Sequence, residues 1–226
     1  MCDTEKCTVN HIERCTTLVT PICNKSPAFA NTSPLGLISF ASTTLILSLY
    51  NVGARGMTIP NVVVGQAIAV GGLGQILAGI GDYFIGNTFG ATAFTLFGGF
   101  WLSYALILLP NTGIISAYTT TPEDATQLAQ GLGIWLMVWF VITFILWLGT
   151  FRTTVAKSAV FFFLWITFVL LSAANFTGQV SVLRAAGSVG IVTALAAFYA
   201  AAVELYLPVY TPICLPGGSL AVSASI

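Results

Sequence analysis

The sequence predicts an all-α polytopic membrane protein with six transmembrane helices. Of its 226 residues, 57% are hydrophobic and only 6% are charged, whereas soluble domains carry about 25% charged residues. The hydrophobic residues form six runs near positions 35–53, 62–84, 89–109, 131–149, 159–176 and 187–207. Each run has about the 20 residues that a helix needs to cross a bilayer. A lipid bilayer is therefore the expected environment.

The residues outside these runs predict two tails around one transmembrane domain. Residues 1–30 hold six charges and no apolar stretch of the kind that a signal peptide needs, so the first span is expected to stay in the protein. These residues are assigned to a cytoplasmic N-terminal tail. The transmembrane domain is assigned to residues 31–208 and a C-terminal tail to residues 209–226. The N-terminal tail contains His11 and four of the five cysteines, Cys2, Cys7, Cys15 and Cys23. Their spacing is too wide for the paired ligands of common zinc sites, so we expect reduced thiols, no metal and no other cofactor.

The first helix has a sharply marked start. Ser33 is suited to the N-cap and Pro34 to the first helical position, where a missing N–H group costs nothing. From Leu35 to Val52 the chain carries no charge, which predicts one bilayer crossing. In the second run, Ala67 with Gly71, and likewise Gly74 with Ala78, has the four-residue spacing that lets helices approach closely in lipid.

The turn Gly86-Asn87-Thr88 separates the second run from the third. The fourth helix is predicted to begin before its apolar part, at about Pro122. Thr121 with Asp124 has the pattern of a capping box, in which acids also complement the helix dipole. A polar stretch from Asn175 to Arg184 separates the fifth run from the sixth.

Two short strings hint at an internal repeat. Asn87-Thr-Phe-Gly90 follows the second run and Asn175-Phe-Thr-Gly178 follows the fifth. Halves of three helices each would have opposite orientations, which is the 3+3 inverted repeat of many transporters. Chance matching of such short strings explains the similarity equally well.

The basic residues predict the orientation in the membrane. With the N-terminus inside, only Arg55 and Arg184 of the seven basic residues lie outside, in agreement with the positive-inside rule. Both termini are therefore predicted to be cytoplasmic. The expected location of the protein is the plasma membrane. The formal net charge is zero, so no basic surface is expected for a nucleic-acid partner.

The spans offer hydrogen-bonding groups but no enzyme site. The sequence has no GxSxG, HExxH or phosphate-loop motif, so we expect no catalysis. Uncharged groups suited to line a path for a small polar solute include Thr43, Thr44, Asn51, Gln75, Thr88, Thr95 and Asn175. Bonding to a neighbouring helix or to the i−4 carbonyl is the commoner role of such groups.

Asparagine residues near the ends of the runs predict attraction of an anion. Asn31, Asn87 and Asn175 each lie beside Gly, Thr or Pro, and their amides donate hydrogen bonds without a full charge. A helix that begins after such a residue presents a partial positive charge suited to a carboxylate. Simple helix capping would use the same residues.

Two carboxyl groups, those of Asp82 and Glu204, lie in or beside the apolar runs. Ionised acids inside a bilayer are costly, which makes both residues candidates for a proton-linked role. Both are also expected near the cytoplasmic ends of their helices. Helix packing or an interfacial position therefore explains them as well as proton handling does.

These motifs together resemble the acetate uptake transporter family, which includes the bacterial succinate–acetate permease. The matching strings are in family order and cover about residues 30–208. They are Ser33-Pro-Leu-Gly-Leu37, Thr43-Thr44, Tyr50-Asn-Val-Gly53, Gln75-Ile-Leu-Ala-Gly79, Gly86-Asn-Thr-Phe-Gly90, Thr92-Ala-Phe-Thr95, Phe100-Trp101 and Glu204.

The resemblance implies a six-helix protomer with its own pore, assembled into a homohexamer that moves acetate and related small monocarboxylates. It places Ser33 and Leu37 along the substrate pathway and a pore constriction at Phe40, Phe97 and Leu164. This chain has Phe97 where the family usually has Tyr, which predicts a more apolar gate. Ala197 matches a position associated with substrate size. Succinate transport and proton coupling stay open at this point, because Asp82 and Glu204 fit either scheme.

Two other functions fit the same sequence features. A channel for a small neutral solute such as urea or ammonia would use the same uncharged lining. A membrane scaffold or sensor without transport would use the cysteine-bearing tail and the small-residue helix faces.

Overall fold

The computed structural model describes residues 30–119 and 121–220, and within them it contains six long helices. They are α1 (Ser33–Asn51), α2 (Val63–Phe84), α3 (Thr88–Leu108), α4 (Pro122–Gly149), α5 (Val155–Thr177) and α6 (Val180–Leu205). All six are long and apolar enough to cross a membrane, which confirms the predicted fold class. The interpretation of the N-terminal cysteines and histidine lies outside the described residues.

The helices alternate in direction, so the bundle has two ends. At the proximal end, α1, α3 and α5 begin and α2, α4 and α6 finish; the distal end is the opposite one. At the proximal end Ser33 of α1 bonds Asp82 of α2, and Lys157 of α5 pairs with Glu204 of α6. At the distal end, Ser172 of α5 donates to the carbonyl of Gly133 near the start of α4.

The start of α4 confirms the predicted capping box. The Thr121 hydroxyl accepts from Asp124 N at 3.3 Å, and the Asp124 carboxylate accepts from Thr121 N at 2.7 Å. The prediction that Ser33 caps α1 is wrong. The N-cap is Thr32, whose side chain makes no capping bond, because the hydroxyls of Thr32 and Ser33 instead reach the buried carboxylate of Asp82.

Small residues allow close helix contacts where the spacing predicts them. A Cβ atom at Gly71 would lie 2.8 Å from Trp101 Cγ on α3 and 2.9 Å from Thr43 Oγ1 on α1. The backbone around Gly71 is a wide π turn over Ala67–Gly74, a feature that often marks functional sites in helices. Glycine therefore allows α2 to pack closely against two helices at once.

Helices of the two predicted halves pack against each other. Helix α6 packs closely on α1, where a Cβ at Gly187 would lie 2.8 Å from the Ser48 carbonyl oxygen. Helices α3 and α4 meet through aromatic rings, with Phe100 stacked on Trp135 at a centroid distance of 5.0 Å. The inverted repeat stays a prediction.

A C-terminal strap, residues 216–220, crosses the beginning of α5. The carbonyls of Gly218 and Gly217 accept from Val155 N at 2.7 Å and Ala156 N at 3.3 Å. Thr154 caps the same helix by accepting from Lys157 N at 3.2 Å. The first backbone amides of α5 are therefore occupied by protein acceptors.

Candidate functional site

Two cavities lie along the inside of the bundle, one on either side of a shared set of apolar side chains. The proximal cavity is lined among others by Ser33, Leu37, Gln75, Phe161 and Lys157. The distal cavity is lined among others by Thr44, Ser48, Asn51, Trp101 and Thr167. Phe40, Phe97 and Leu164 line both cavities. The sequence resemblance had assigned these three residues to a constriction.

We call Phe40, Phe97 and Leu164 the partition. They come from α1, α3 and α5 and are 5%, 2% and 3% exposed. The rings of Phe40 and Phe97 have centroids 5.7 Å apart, and Phe97 is also stacked parallel to Phe168 at 6.5 Å. The partition is therefore a close-packed apolar layer between two cavities.

The cavities themselves are narrow and carry unsatisfied polar groups. Each has about 30 Å³ of free volume, which is room for about two water molecules. Among the described residues, four buried side-chain polar atoms have no hydrogen-bond partner, and three belong to residues that line a cavity. These three are Gln75 Oε1 in the proximal cavity and Thr44 Oγ1 and Trp101 Nε1 in the distal one. Buried polar groups normally have partners, so these three atoms are unpaired hydrogen-bonding groups of residues beside otherwise apolar cavities.

Asp82 connects the proximal ends of three helices. Its side chain is fully buried; Oδ2 accepts from Ser33 Oγ at 3.0 Å and from Asn87 Nδ2 at 2.8 Å, and Oδ1 lies 2.8 Å from Thr32 Oγ1. A Cβ at Gly90 would overlap Asp82 Oδ2. We call Thr32, Ser33, Asp82 and Asn87 the Asp82 node. The node fixes the starts of α1 and α3 against the end of α2.

Glu204, the second candidate for a proton-linked role, is half-buried and paired. Its carboxylate lies 2.6 Å from the ammonium group of Lys157. Lys157 also lines the proximal cavity. Glu204 thus contacts a residue of the cavity wall, whereas Asp82 lies behind that wall.

The other predicted residues are divided between the cavities and the rest of the bundle. Asn87 caps α3 by accepting from Gly90 N, as the capping alternative predicted. Asn175 lies inside α5 and donates to the Leu171 carbonyl rather than preceding a helix. Four further predicted residues line neither cavity. Thr43 donates to the Ser39 carbonyl, and Thr88 is exposed. Thr95 lies in an outer groove between α2 and α3, and Ala197 is buried in the core.

Sequence reasoning missed Lys157 and the aromatic walls. The fifth apolar run, near 159–176, begins after Lys157, whereas α5 begins at Val155 and includes this residue. The cap residue Thr154 is the signal that marks the earlier start. Phe161 and Phe168, about one and three turns further along α5, line the proximal and the distal cavity, respectively.

Comparison with known proteins places this arrangement among described transporters. The family model for the GPR1/FUN34/yaaH family matches residues 17–221. "Ammonia transport outward protein 2" of Saccharomyces cerevisiae is 50% identical over 171 residues, which are 76% of this chain and 60% of the relative. "Succinate-acetate/proton symporter SatP" of Escherichia coli is 37% identical over 190 residues, 84% of this chain and 95% of the relative.

A solved structure has the same fold. The structure titled "Structure of the bacterial acetate channel SatP" is similar with a TM-score of 0.74 and 36% sequence identity, covering 84% of this chain and 99% of that chain. The chain spans about 60% of the length of the first curated relatives that it matches.

Proposed function

The chain belongs to the GPR1/FUN34/yaaH family, and from this premise we propose that it carries acetate and related small monocarboxylates across a membrane. The family and its six apolar helices make it an integral membrane protein. The bacterial relatives named as a succinate-acetate/proton symporter and an acetate channel support the substrate class. Their names also support succinate and a proton as further cargo.

The observation that carries the proposal is the distribution of polar atoms around the partition. Gln75 Oε1 on one side and Thr44 Oγ1 and Trp101 Nε1 on the other are buried without partners. Between them the wall is apolar and close-packed. The Thr44 hydroxyl and the Trp101 indole N–H can donate to a carboxylate, whereas Gln75 Oε1 can only accept and therefore suits the O–H of the protonated acid. The methyl group of either form can pass the partition.

This arrangement favours small, partly apolar solutes over hydrated inorganic ions. An apolar constriction excludes ions that cannot shed their water, and conduction requires binding that is weak enough for release. A single amide in the proximal cavity and two groups in the distal cavity supply weak sites of that kind. The partition must widen during passage, because its three side chains are buried and the rings of Phe40 and Phe97 are in contact.

The test is uptake of radiolabelled acetate into proteoliposomes of the purified full chain. At alkaline pH the free acid is ionised and crosses lipid slowly, so uptake through the protein stands out. We expect uptake well above that of empty vesicles, competition by propionate and no competition by urea. Uptake equal to that of empty vesicles would refute the proposal.

A second candidate solute is ammonia, which the name of the yeast relative with 50% identity suggests. The same uncharged partition would admit a small neutral molecule. Labelled methylammonium uptake by the same vesicles separates the candidates. Methylammonium uptake without acetate uptake would favour the neutral solute, and acetate uptake that is insensitive to ammonium favours the carboxylate.

We also propose the plasma membrane as the location, with both termini in the cytoplasm. The five cysteines all lie outside the six helices, four before α1 and Cys214 after α6, and an even number of spans places both termini on one side. In intact cells we therefore expect no labelling by a membrane-impermeant maleimide, and full labelling after permeabilisation. Labelling of intact cells would show that the cysteines face the outside of the cell and would contradict the proposed orientation.

A homohexamer is the assembly that we propose with this function. The exposed apolar groove between α2 and α3, which includes Tyr83, Phe84 and Leu96, offers surface for contacts between protomers. Light scattering of the detergent-solubilised chain should give a protein mass near six times 23.8 kDa, and a monomer mass would contradict the assembly.

A further inference from the structure

Lys157 is the one charged residue among those that line the two cavities. It lies in the first turn of α5 at the proximal end, and its ammonium nitrogen is 2.6 Å from Glu204 Oε1 near the end of α6. Glu204 itself is not among the lining residues. The ion pair therefore connects the cavity wall to a carboxylate held behind it.

The backbone at this point is already satisfied, which leaves the side chain as the available donor. Val155 N and Ala156 N donate to the strap carbonyls, and Lys157 N donates to Thr154 Oγ1. The amides at the start of α5 are thus closed to an arriving anion. The Lys157 ammonium has three donors, and among the described residues Glu204 is its recorded side-chain partner.

The pair is also placed for exchange with a solute. The side chains of Lys157 and Glu204 are 22% and 18% exposed, so solvent reaches both. A solute carboxylate can accept the same charge-assisted hydrogen bond from the ammonium group as the Glu204 carboxylate does. Replacing one carboxylate by another at the same ammonium group therefore costs little.

We propose that Lys157 Nζ is the first binding group for the solute carboxylate at the proximal cavity, and that Glu204 competes with the solute for it. The Glu204 carboxylate holds the ammonium group in the empty protein and returns to it as the solute moves on towards Gln75. Glu204 thereby prevents the lysine from retaining the anion. This inference rests on the proposed acetate transport.

The two partners give opposite predictions for transport kinetics. In acetate uptake by proteoliposomes, Glu204→Gln should lower the KM about threefold, because the ammonium group loses its internal competitor. Lys157→Gln should raise the KM by about the same factor. The double variant should have the KM of Lys157→Gln, because Glu204 acts only through Lys157. A purely structural ion pair would shift both single variants in the same direction.

Arg152 provides a matched control at the same end of the bundle. It is exposed and is not among the lining residues, so Arg152→Gln should leave the KM unchanged although it removes the same charge. Lys157→Arg keeps the positive charge, so its KM should stay near that of the wild type, unlike the KM of Lys157→Gln. If the wild type takes up acetate and all variants have the same KM, the role of Lys157 is overturned and the transport function stands. Absence of wild-type uptake would overturn both this inference and the transport function.

Discussion

Replacing Asp82 by alanine is expected to lower the free energy of unfolding by about 3 kcal/mol and to abolish most acetate uptake. The carboxylate accepts from Ser33 Oγ and Asn87 Nδ2 at a site with no solvent exposure. Hydrogen bonds to a charged group each contribute about 1.5–3 kcal/mol, and unpaired buried donors carry a further cost. Without the carboxylate, the starts of α1 and α3 lose their common acceptor.

The measurement is SDS titration of the purified protein in detergent, together with acetate uptake by the same preparation. Ser172→Ala is the matched control, because the buried Ser172 hydroxyl also links two helices but donates a single bond to the Gly133 carbonyl, at 2.8 Å. Ser172→Ala should lower the free energy of unfolding by about 1 kcal/mol. Equal losses of stability in Asp82→Ala and Ser172→Ala would show that the Asp82 node does not hold the helix ends together.

The amide variant separates positioning from proton transfer. Asp82→Asn keeps one oxygen, which in the place of Oδ2 can still accept from Ser33 and Asn87, but it removes the acceptor of Thr32 Oγ1. It should therefore retain a part of the stability and a corresponding part of the uptake. A proton carrier would behave differently, because the isosteric amide would keep the fold and lose all proton-driven uptake. The three donors that surround the carboxylate favour positioning.

The six helices could be predicted from the sequence because their signals are local. Length, apolar composition and a low content of charged residues marked each span. The capping-box pair Thr121 and Asp124, three residues apart, marked the start of α4. The proline at position 34 also marked the beginning of α1 correctly to within one residue. The exact cap of α1 escaped prediction because Ser33 bonds Asp82, which lies 49 residues further along the chain.

The candidate site was less predictable because it depends on which helix faces meet. Thr44 and Thr95 look alike in the sequence, yet Thr44 lines the distal cavity and Thr95 lies in an outer groove. The rotation of each helix about its own axis decides which position a threonine takes. The neighbouring residues give no signal, because they are mostly apolar around both Thr44 and Thr95. The family resemblance named Phe40, Phe97 and Leu164 from matched positions, and the fold places all three between the cavities.

The constriction proposal is tested most directly by a change in solute size selection. Leu164→Ala should raise the ratio of butyrate uptake to acetate uptake about tenfold. A pocket that gains or loses a few carbon atoms changes discrimination by factors of this order. Leu164 is 3% exposed and lines both cavities, so truncation opens the partition between them. Acetate is smaller than butyrate and needs less widening of the partition, so its own uptake should change less.

Stability and selectivity must be separated in this experiment, because truncation of a buried leucine costs about 2–5 kcal/mol wherever it occurs. Leu146→Ala is the matched control, since Leu146 is buried in the core on α4 but lines neither cavity. It should lower stability to a similar extent and leave the butyrate-to-acetate ratio at the wild-type value. Equal ratios in Leu164→Ala and Leu146→Ala would place the constriction elsewhere. A ratio raised only in Leu164→Ala would support the partition as the filter, because a general loosening of the bundle would affect both variants.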